Sequence, residues 1–454
     1  MDDSVFQLLS KYNIPTARYT SYPTVPYWES ASLNTEMWKE KVVKTFHSEK
    51  RALSLYIHLP FCESLCTFCA CNKRITKNHK VETPYIEAVL KEWQMYLDIF
   101  SSRPLIKEIH LGGGTPTFFS PENLKLLIGT ILKDADIAGD QEFSVEVHPN
   151  HTTEKHLSEL AAMGFNRISL GVQDFDPGVQ FIINRIQNFE TTEEVVNWAR
   201  KYDYNSVNID LVYGLPHQSL SSIGYTIEQI KKLKPERIAY YSYAHVPWKS
   251  KAQRRYTEAD LPLAEEKLRM YMMGNDWLRM AGYTPVGMDH FALPEDKLLK
   301  AAATGEMHRN FMGYTTTNNH LIIGLGASSI SDAWGAFFQN EKDIAAYQER
   351  VNNGELPFTN GHLLNEEDLS LRKNILELMC KGKTIVEMNV LDKEFLSHAF
   401  DKLAELQKDG LVALDENLIE VTPKGAILVR NICAAIDARL WRKKKKEQVF
   451  SGAI

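Results

Sequence analysis

The chain predicts a parallel α/β barrel, complete or partial, with an N-terminal extension and a mostly helical, winged-helix-like C-terminal domain. Three observations carry that prediction. From about residue 51, short β-rich runs alternate with longer helical stretches, the rhythm that builds parallel sheets through crossover helices. Several β-rich runs are apolar on consecutive residues, as expected of strands covered on both faces. The last part of the chain changes to helices followed by a hairpin pattern.

Residues 1–50 are mixed and include an aromatic, hydroxyl-rich patch, Arg18–Thr24 (RYTSYPT). The β-rich runs are Leu53–His58, Glu108–Leu111, Phe143–Val147, Arg167–Val172, Val207–Val212, Arg237–Tyr243 and a weaker Pro285–Met288. Between them, Val81–Phe100, Pro121–Lys133, Thr153–Met163, Thr191–Tyr202, Leu220–Leu233 and Ala264–Met280 are long enough for crossover helices. The expected division is an extension (1–50), a barrel (51–290), a segment completing and connecting it (291–360) and a C-terminal domain (361–454). In that domain Asn365–Met379 and Lys393–Lys408 read as helices. Gly410–Val421 reads as two short strands around a turn, and Thr422-Pro423 as the opening of a final helix.

Winged helices often bind DNA, but residues 361–454 hold 15 Lys plus Arg against 15 Asp plus Glu, without the clustered basic face phosphates need. The basic block Arg442–Lys446 reads as a solvated helix end. Over all 454 residues, 44% hydrophobic and 24% charged residues fit a soluble globular protein, and a net charge of −6 points to no nucleic-acid or membrane partner. No apolar run approaches the roughly 20 residues that span a bilayer, and no signal peptide is visible. A cytoplasmic monomer is expected.

Six cysteines are too few for a disulfide-stapled scaffold. Cys380 and Cys433 stand apart and read as buried small apolar residues, whereas Cys62, Cys66, Cys69 and Cys71 share one loop after the first strand. Soft thiolates this close suit zinc or iron–sulfur. A structural zinc site normally closes its shell with a distant second ligand pair, and none exists here. Cys62-x3-Cys66-x2-Cys69 supplies ligands for three irons of a cubane and leaves the fourth iron open. At the next strand end, Gly112-Gly113-Gly114-Thr115 permits close backbone approach of a ligand. Glu146, Gln173, Arg185 and Asp210 lie at or just after further strand ends, the face where barrel chemistry sits. Arg185 suits a carboxylate by bidentate pairing.

Cys62-x3-Cys66-x-Phe68-Cys69 resembles the signature of the radical S-adenosylmethionine (SAM) superfamily. RYTSYPT, YIHLPFC (Tyr56–Cys62), GFNRISLGVQDF (Gly164–Phe175), NIDLVYGLP (Asn208–Pro216), YAHVP (Tyr243–Pro247), GMDHFA (Gly287–Ala292), the HRNF and GYTT segments (His308–Thr316) and RNIC (Arg430–Cys433) resemble the oxygen-independent coproporphyrinogen III oxidases, nearly end to end. The resemblance implies a [4Fe–4S] cluster on Cys62, Cys66 and Cys69, with SAM on its open iron. Reduction then yields a 5′-deoxyadenosyl radical, which removes hydrogen from the propionate β-carbon. Loss of CO2 turns two propionates of coproporphyrinogen III into the vinyl groups of protoporphyrinogen IX. It implies two SAM molecules. Tyr56, Gly113 and Glu146 would contact the first; Phe68, Gly114, Thr115, Gln173, Arg185, Asp210, Ala244 and Ile330 would surround the second. Cys71 would be needed for activity without binding the cluster, and Tyr19, Tyr22, His290, His308 and Arg309 would stand near the site. An electron donor and an acceptor, neither identified by the sequence, are implied. Departures from the family pattern are Thr16-Ala17, His148, Ile186 and Met312. The alternatives are a haem-binding chaperone on the same scaffold, whose members usually carry an aromatic at the Cys71 position, and a haem-modifying radical SAM enzyme.

Overall fold

The computed structural model describes residues 3–248, 250–443, 450 and 452. A twelve-stranded sheet forms its frame. In chain order its strands are β1 (Ala52–Leu59), β2 (Leu105–Gly113), β3 (Asp136–Val147), β4 (Phe165–Gln173), β5 (Ser206–Tyr213) and β6 (Arg237–Ser242), followed by β7 (Thr284–Val286), β8 (His290–Ala292), β9 (Leu321–Leu325), β10 (Ile330–Ala333), β11 (Ala336–Asn340) and β12 (Phe358–Leu363). The order is β12-β11-β10-β9-β1-β2-β3-β4-β5-β6-β8-β7. From β9 through β1 to β6 every pair is parallel, and antiparallel strands extend the sheet at both ends.

The crossover helices start where their caps put them. Ser120 accepts from the Asn123 amide ahead of Pro121–Lys133, with Pro121 supplying a preset φ at the first turn. Ser219 does the same for Leu220–Leu233, which ends on Lys234 in the left-handed region.

The strands are not apolar on both faces, as the sequence reading expected; they alternate. In β1, Leu53, Leu55, Ile57 and Leu59 are fully buried in the main core. Ser54, Tyr56 and His58, between them, face a polar interior. There Ser54 donates to Glu108 (2.6 Å), Arg167 pairs with Glu142 (2.5 Å), and Asn208 donates to Ser169 (2.8 Å). Both faces are buried, but only the outer one is apolar, because the inner face surrounds chemistry instead of packing against hydrocarbon.

Other expectations are corrected too. Pro285–Met288 belongs to a short antiparallel hairpin, β7–β8, added to β6. Thr422-Pro423 does not open the last helices: a 3-10 turn at Ala426–Leu428 intervenes before Val429–Ala435. The segment 321–363 contributes β9 to β12, including the parallel partner of β1. In the C-terminal region, helices Glu366–Lys381 and Lys393–Lys408 precede the hairpin Val412–Asp415 and Leu418–Val421, which gains a third strand, Lys383–Ile385. That is a winged-helix arrangement.

The two ends of the chain meet. Arg430 donates to the Ala17 carbonyl (2.9 Å) and to that of Thr16, and Tyr19 donates to Asp437 (3.1 Å). Arg442 forks onto Glu367 and Lys443 pairs with Glu29, while both side chains stay exposed at the end of helix Ala438–Arg442, so the start of the basic block is the solvated helix end expected, with surface ion pairs added. Lys444–Lys446 lie outside the described residues. Cys380 and Cys433 are buried, as expected.

Arg237 and Asp296 form an ion pair at 2.7 Å with both side chains wholly buried. Asp296 also accepts from Ser206 and from the Leu298 amide that begins helix Lys297–Thr304. Replacing Arg237 by Met strands a buried carboxylate, and the expected loss is about 3–5 kcal/mol. It reads as a lower unfolding midpoint at fixed scan rate; a midpoint equal to the parent's would refute the assignment. Burial pushes the Asp296 carboxyl up, but Arg237 and these hydrogen bonds outweigh it and hold it low. The pair's contribution is therefore complete above the unfolded carboxyl pKa of roughly 4, and is lost as pH falls through the lower folded value.

Candidate active site

At the C-terminal ends of the parallel strands lies a cavity of about 310 Å³. Cys62, Cys66, Cys69 and Cys71 all line it, with Phe68, Gly113, Gly114, Thr115, Glu146, Gln173, Arg185 and Asp210. Most of the residues read from the sequence as one site thus share one space. Tyr56 stands just behind the lining, its ring 3.1 Å from where a Cβ on Gly112 would lie. Ala244 and Ile330 are not among the lining residues. Ala244 offers its carbonyl to Gln253, and Ile330 sits in β10 opposite Gln339. Tyr19, Tyr22, His308 and Arg309 also lie outside the lining, whereas His290 touches its wall through Tyr241 (ring centroids 5.9 Å apart).

The cysteine loop is held from both sides. Thr67 donates its amide to the Ile183 carbonyl (2.9 Å), and Ser250 and Gln253 donate to the carbonyls of Cys69 and Phe68. Thr115 donates to the Cys62 sulfur (3.3 Å), Arg185 to the Cys66 sulfur (3.5 Å), and Lys73 to the Cys69 carbonyl (3.2 Å). Burial pushes the Cys62 thiol up to about 11. A hydrogen bond from Cys71, with the Lys73 charge nearby, brings Cys69 down to about 6, and the same contact raises Cys71.

The glycines are needed for packing as well as for access. A Cβ on Gly113, at φ +116°, would lie 2.8 Å from the His58 ring, and one on Gly114 would lie 2.8 Å from the Phe61 carbonyl oxygen. The glycine strand end is pressed against the strand that leads into the cysteine loop, and only glycine fits. Gly171 makes room in the same way for Arg185, whose Nη2 would be 2.8 Å from an added Cβ.

Glu146 accepts from His110 (3.1 Å) and from the Gly113 amide (3.3 Å). Burial alone would raise its carboxyl; these donors outweigh it and hold it below the ordinary range. It is an acceptor that lines the cavity, its side chain 45% exposed there and tied to His110. Asp210 lies within β5 rather than at its end. Burial and then Glu146 raise it to about 6, against hydrogen bonds from Asn208 and Ser169. Arg185 follows a short helix, Pro177–Ile182, not a strand, and pairs with no carboxylate among the described residues. It donates to the Gly171 carbonyl (2.5 Å), and its buried Nε has no partner. Ile186 beside it is exposed and lies outside the lining.

Several working residues were missed from the sequence. His110 orients Glu146. His58 donates from Nε2 to the Asn72 carbonyl (2.9 Å) and accepts from the Tyr56 hydroxyl (3.0 Å), a neutral imidazole whose proton burial keeps off. Glu63, Lys73, His148, His151, Ser169 and Tyr241 also line the cavity. The signal for His58 and His110 was present: they recur with Tyr56 at the two-residue spacing of one strand face, and Tyr56 registers opposite His110.

Among the described residues, no three His, Cys, Asp or Glu side chains converge tightly enough to share a single ion. Thiolates that each take a different iron of one cubane need no such convergence. Three soft donors on one arc, an orphaned guanidinium nitrogen and an anionic acceptor in one cavity fit a [4Fe–4S] cluster with a zwitterionic ligand on its open side.

A model of the radical SAM superfamily matches residues 56–230. The oxygen-independent coproporphyrinogen III oxidase of Synechocystis is 37% identical, covering 99% of this chain and 97% of that protein. Its namesake from Escherichia coli is 37% identical, covering 98% of each. The solved structure of coproporphyrinogen III oxidase from Escherichia coli, described as a radical SAM enzyme, aligns with a TM-score of 0.89 at 36% identity, over 95% of this chain and 98% of that one. The chain belongs to the oxygen-independent coproporphyrinogen III oxidase family, within the radical SAM superfamily.

Proposed function

We propose that the protein oxidises coproporphyrinogen III without oxygen, converting two propionates to vinyl groups and giving protoporphyrinogen IX for haem synthesis. The observation that carries this reading is Cys71. It faces the same cavity as the three cluster cysteines and touches Cys69, at the position where the resemblance implies that haem-chaperone relatives usually carry an aromatic. The family membership and the intact N-terminal RYTSYPT segment point the same way.

Cys62, Cys66 and Cys69 would hold the cluster, and Glu146, Tyr56 and Gly113 would bind SAM. When bound, these groups supply the one-electron chemistry needed to take hydrogen from an unactivated carbon, which no side-chain base can do near neutral pH. The chain's own residues position and protect. Glu146, ionised and fixed by His110, offers acceptors to ribose hydroxyls. Arg185 offers its unpaired Nε to a carboxylate. Lys73 and the neutral His58 brace the loop from behind. Cys71, exposed and lining the cavity beside Cys69, would carry a thiol there without a place in the cluster's ligand set. Phe68, Gly114, Thr115, Gln173, Arg185 and Asp210 line the same cavity and would surround a second SAM; Ala244 and Ile330, outside the lining, add no support to it. A one-electron donor and a final acceptor complete the reaction, and the protein works as a cytoplasmic monomer. No helix among the described residues is long and apolar enough to cross a membrane.

Under anaerobic conditions, cluster-reconstituted protein with SAM and a reductant is expected to turn coproporphyrinogen III into protoporphyrinogen IX, measured as protoporphyrin after oxidation. SAM cleavage with persistent propionates would refute the reading. Cys71→Ser should keep the iron content and abolish turnover; loss of iron would make Cys71 a ligand. Glu146→Gln should keep the iron content and weaken SAM binding about 10-fold or more, the scale of a hydrogen bond to a charged group. Equilibrium binding checks it, and unchanged affinity would remove Glu146 from the SAM site.

A further inference from the structure

Cationic side chains gather against Tyr241, which itself lines the active cavity. Arg18 lies over the Tyr241 ring (5.7 Å to its centre) and donates to the Ser242 carbonyl (2.9 Å). Arg309, 5% exposed, donates to the Arg18 carbonyl (3.3 Å), and its buried Nε has no partner. Lys267 donates to the Tyr243 carbonyl (2.9 Å). Arg18, Ser242, Asp289 and Arg430 line a small cavity of about 30 Å³, room for about one water or one carboxylate oxygen.

The acid facing this group is Asp289, and it already receives the His290 Nδ1 hydrogen (2.7 Å). Among the described residues none of Arg18, Lys267 and Arg309 stands within ion-pair distance of a carboxylate. Their hydrogen bonds end on backbone carbonyls, which carry no full charge. The excess is felt by its neighbours. Burial, then Arg18 and Arg430, lower Lys267 to about 8. Burial alone would raise Asp289, but His290 and the charges of Arg309 and Arg18 hold it at about 2. Arg309 is buried over the Tyr314 ring (4.4 Å), Arg18 and Lys267 are half-buried, and desolvated cations with no carboxylate partner favour an anion among them. Guanidinium forks beside an aromatic wall select a planar carboxylate.

We propose that Arg18 and Arg309, with Lys267 behind them, receive a propionate carboxylate of the substrate across the Tyr241 wall. The assignment rests on the reading that the substrate is coproporphyrinogen III and deepens it by naming a substrate-holding group outside the SAM cavity. The N-terminal segment then serves binding: it carries Arg18 to the end of β6.

The test titrates coproporphyrin III, the stable oxidised tetracarboxylate, into the cluster-loaded full chain and follows fluorescence, with SAM affinity measured in parallel. Arg18→Gln and Lys267→Met are each expected to weaken coproporphyrin binding about 10-fold, the scale of a charge-assisted hydrogen bond, and to leave SAM affinity unchanged. Arg18→Lys, which keeps the charge but loses the fork, should recover part of the loss. The tetramethyl ester should bind parent and variants alike. Unchanged coproporphyrin affinity in both variants overturns the assignment, as does a loss of SAM affinity in place of porphyrin affinity. If the parent protein binds coproporphyrin and turns over coproporphyrinogen while the variants match it, only this assignment fails. If the parent does neither, the proposed reaction fails and takes the assignment with it.

Discussion

The polar inner face of the parallel strands is the constraint on which the rest depends. A barrel of this kind usually fills its interior with branched hydrocarbon. Here alternate residues of β1 to β6 turn Ser54, Tyr56, Glu108, His110, Glu142, Ser144, Arg167, Ser169 and Arg237 inward. Every one must be satisfied or charge-matched, because a buried polar group without a partner costs more than a hydrogen bond returns. At the lower end this is achieved within the protein: Arg167 meets Glu142, Arg237 meets Asp296, and Glu108 takes hydrogen bonds from Ser54 and Thr315. At the upper end it is not. Arg185 Nε is left unmatched, Asp210 sits beside Glu146, and the thiols of the loop face open space. The same alternation that stabilises the floor leaves the top chemically unfinished, and that is where ligands belong.

This explains how far the sequence could be read. The frame was visible because the outer face is regular: β1 to β6 and the helices Pro121–Lys133, Leu220–Leu233, Ala264–Met280 and Lys393–Lys408 appear where periodicity and caps put them. The cysteine loop and glycine strand end were visible because their residue types are rare and closely spaced. The alternation itself was missed. Runs such as Ser206–Tyr213 contain enough apolar residues to pass for continuous, and Asn208 and Asp210 were weighed singly instead of as one face. His58 and His110 were missed for the same reason. The strands from Leu321 to Leu363 were missed because they are short and carry glycine and polar residues, so their pairing is fixed by long-range contacts that local propensity does not report.

Partners sharpen how the charged side chains read. Arg185 was read as suited to a carboxylate; among the described residues it pairs with none and braces a carbonyl and a sulfur instead. The start of the Arg442–Lys446 block is the exposed helix end it was read as, and the structure adds surface partners, Glu367 for Arg442 and Glu29 for Lys443. In both cases charge sign and spacing were legible, but not the partner, since a long side chain reaches groups anywhere from 14 to 414 positions away in the chain.

Closing that distance is the structural work of the two chain ends. Joining residues 16–19 to 430–437 is entropically costly for so long a loop, although the cost grows only slowly with length. The contacts that offset it are specific: Arg430 on two successive carbonyls, Tyr19 on Asp437, and Asn431 on the Tyr12 carbonyl at 2.9 Å. None of these residues lines the active cavity. Their effect is to fix Arg18 against Tyr241, so the extension and the C-terminal region act together as a clamp on one cationic side chain. A scaffold stripped of the extension would keep the cysteine loop, the glycine strand end and Glu146 but lose Arg18. It would retain a site for the cofactors while losing a charge that recognises the substrate, which is the difference expected between a general radical-generating barrel and one committed to a tetracarboxylate.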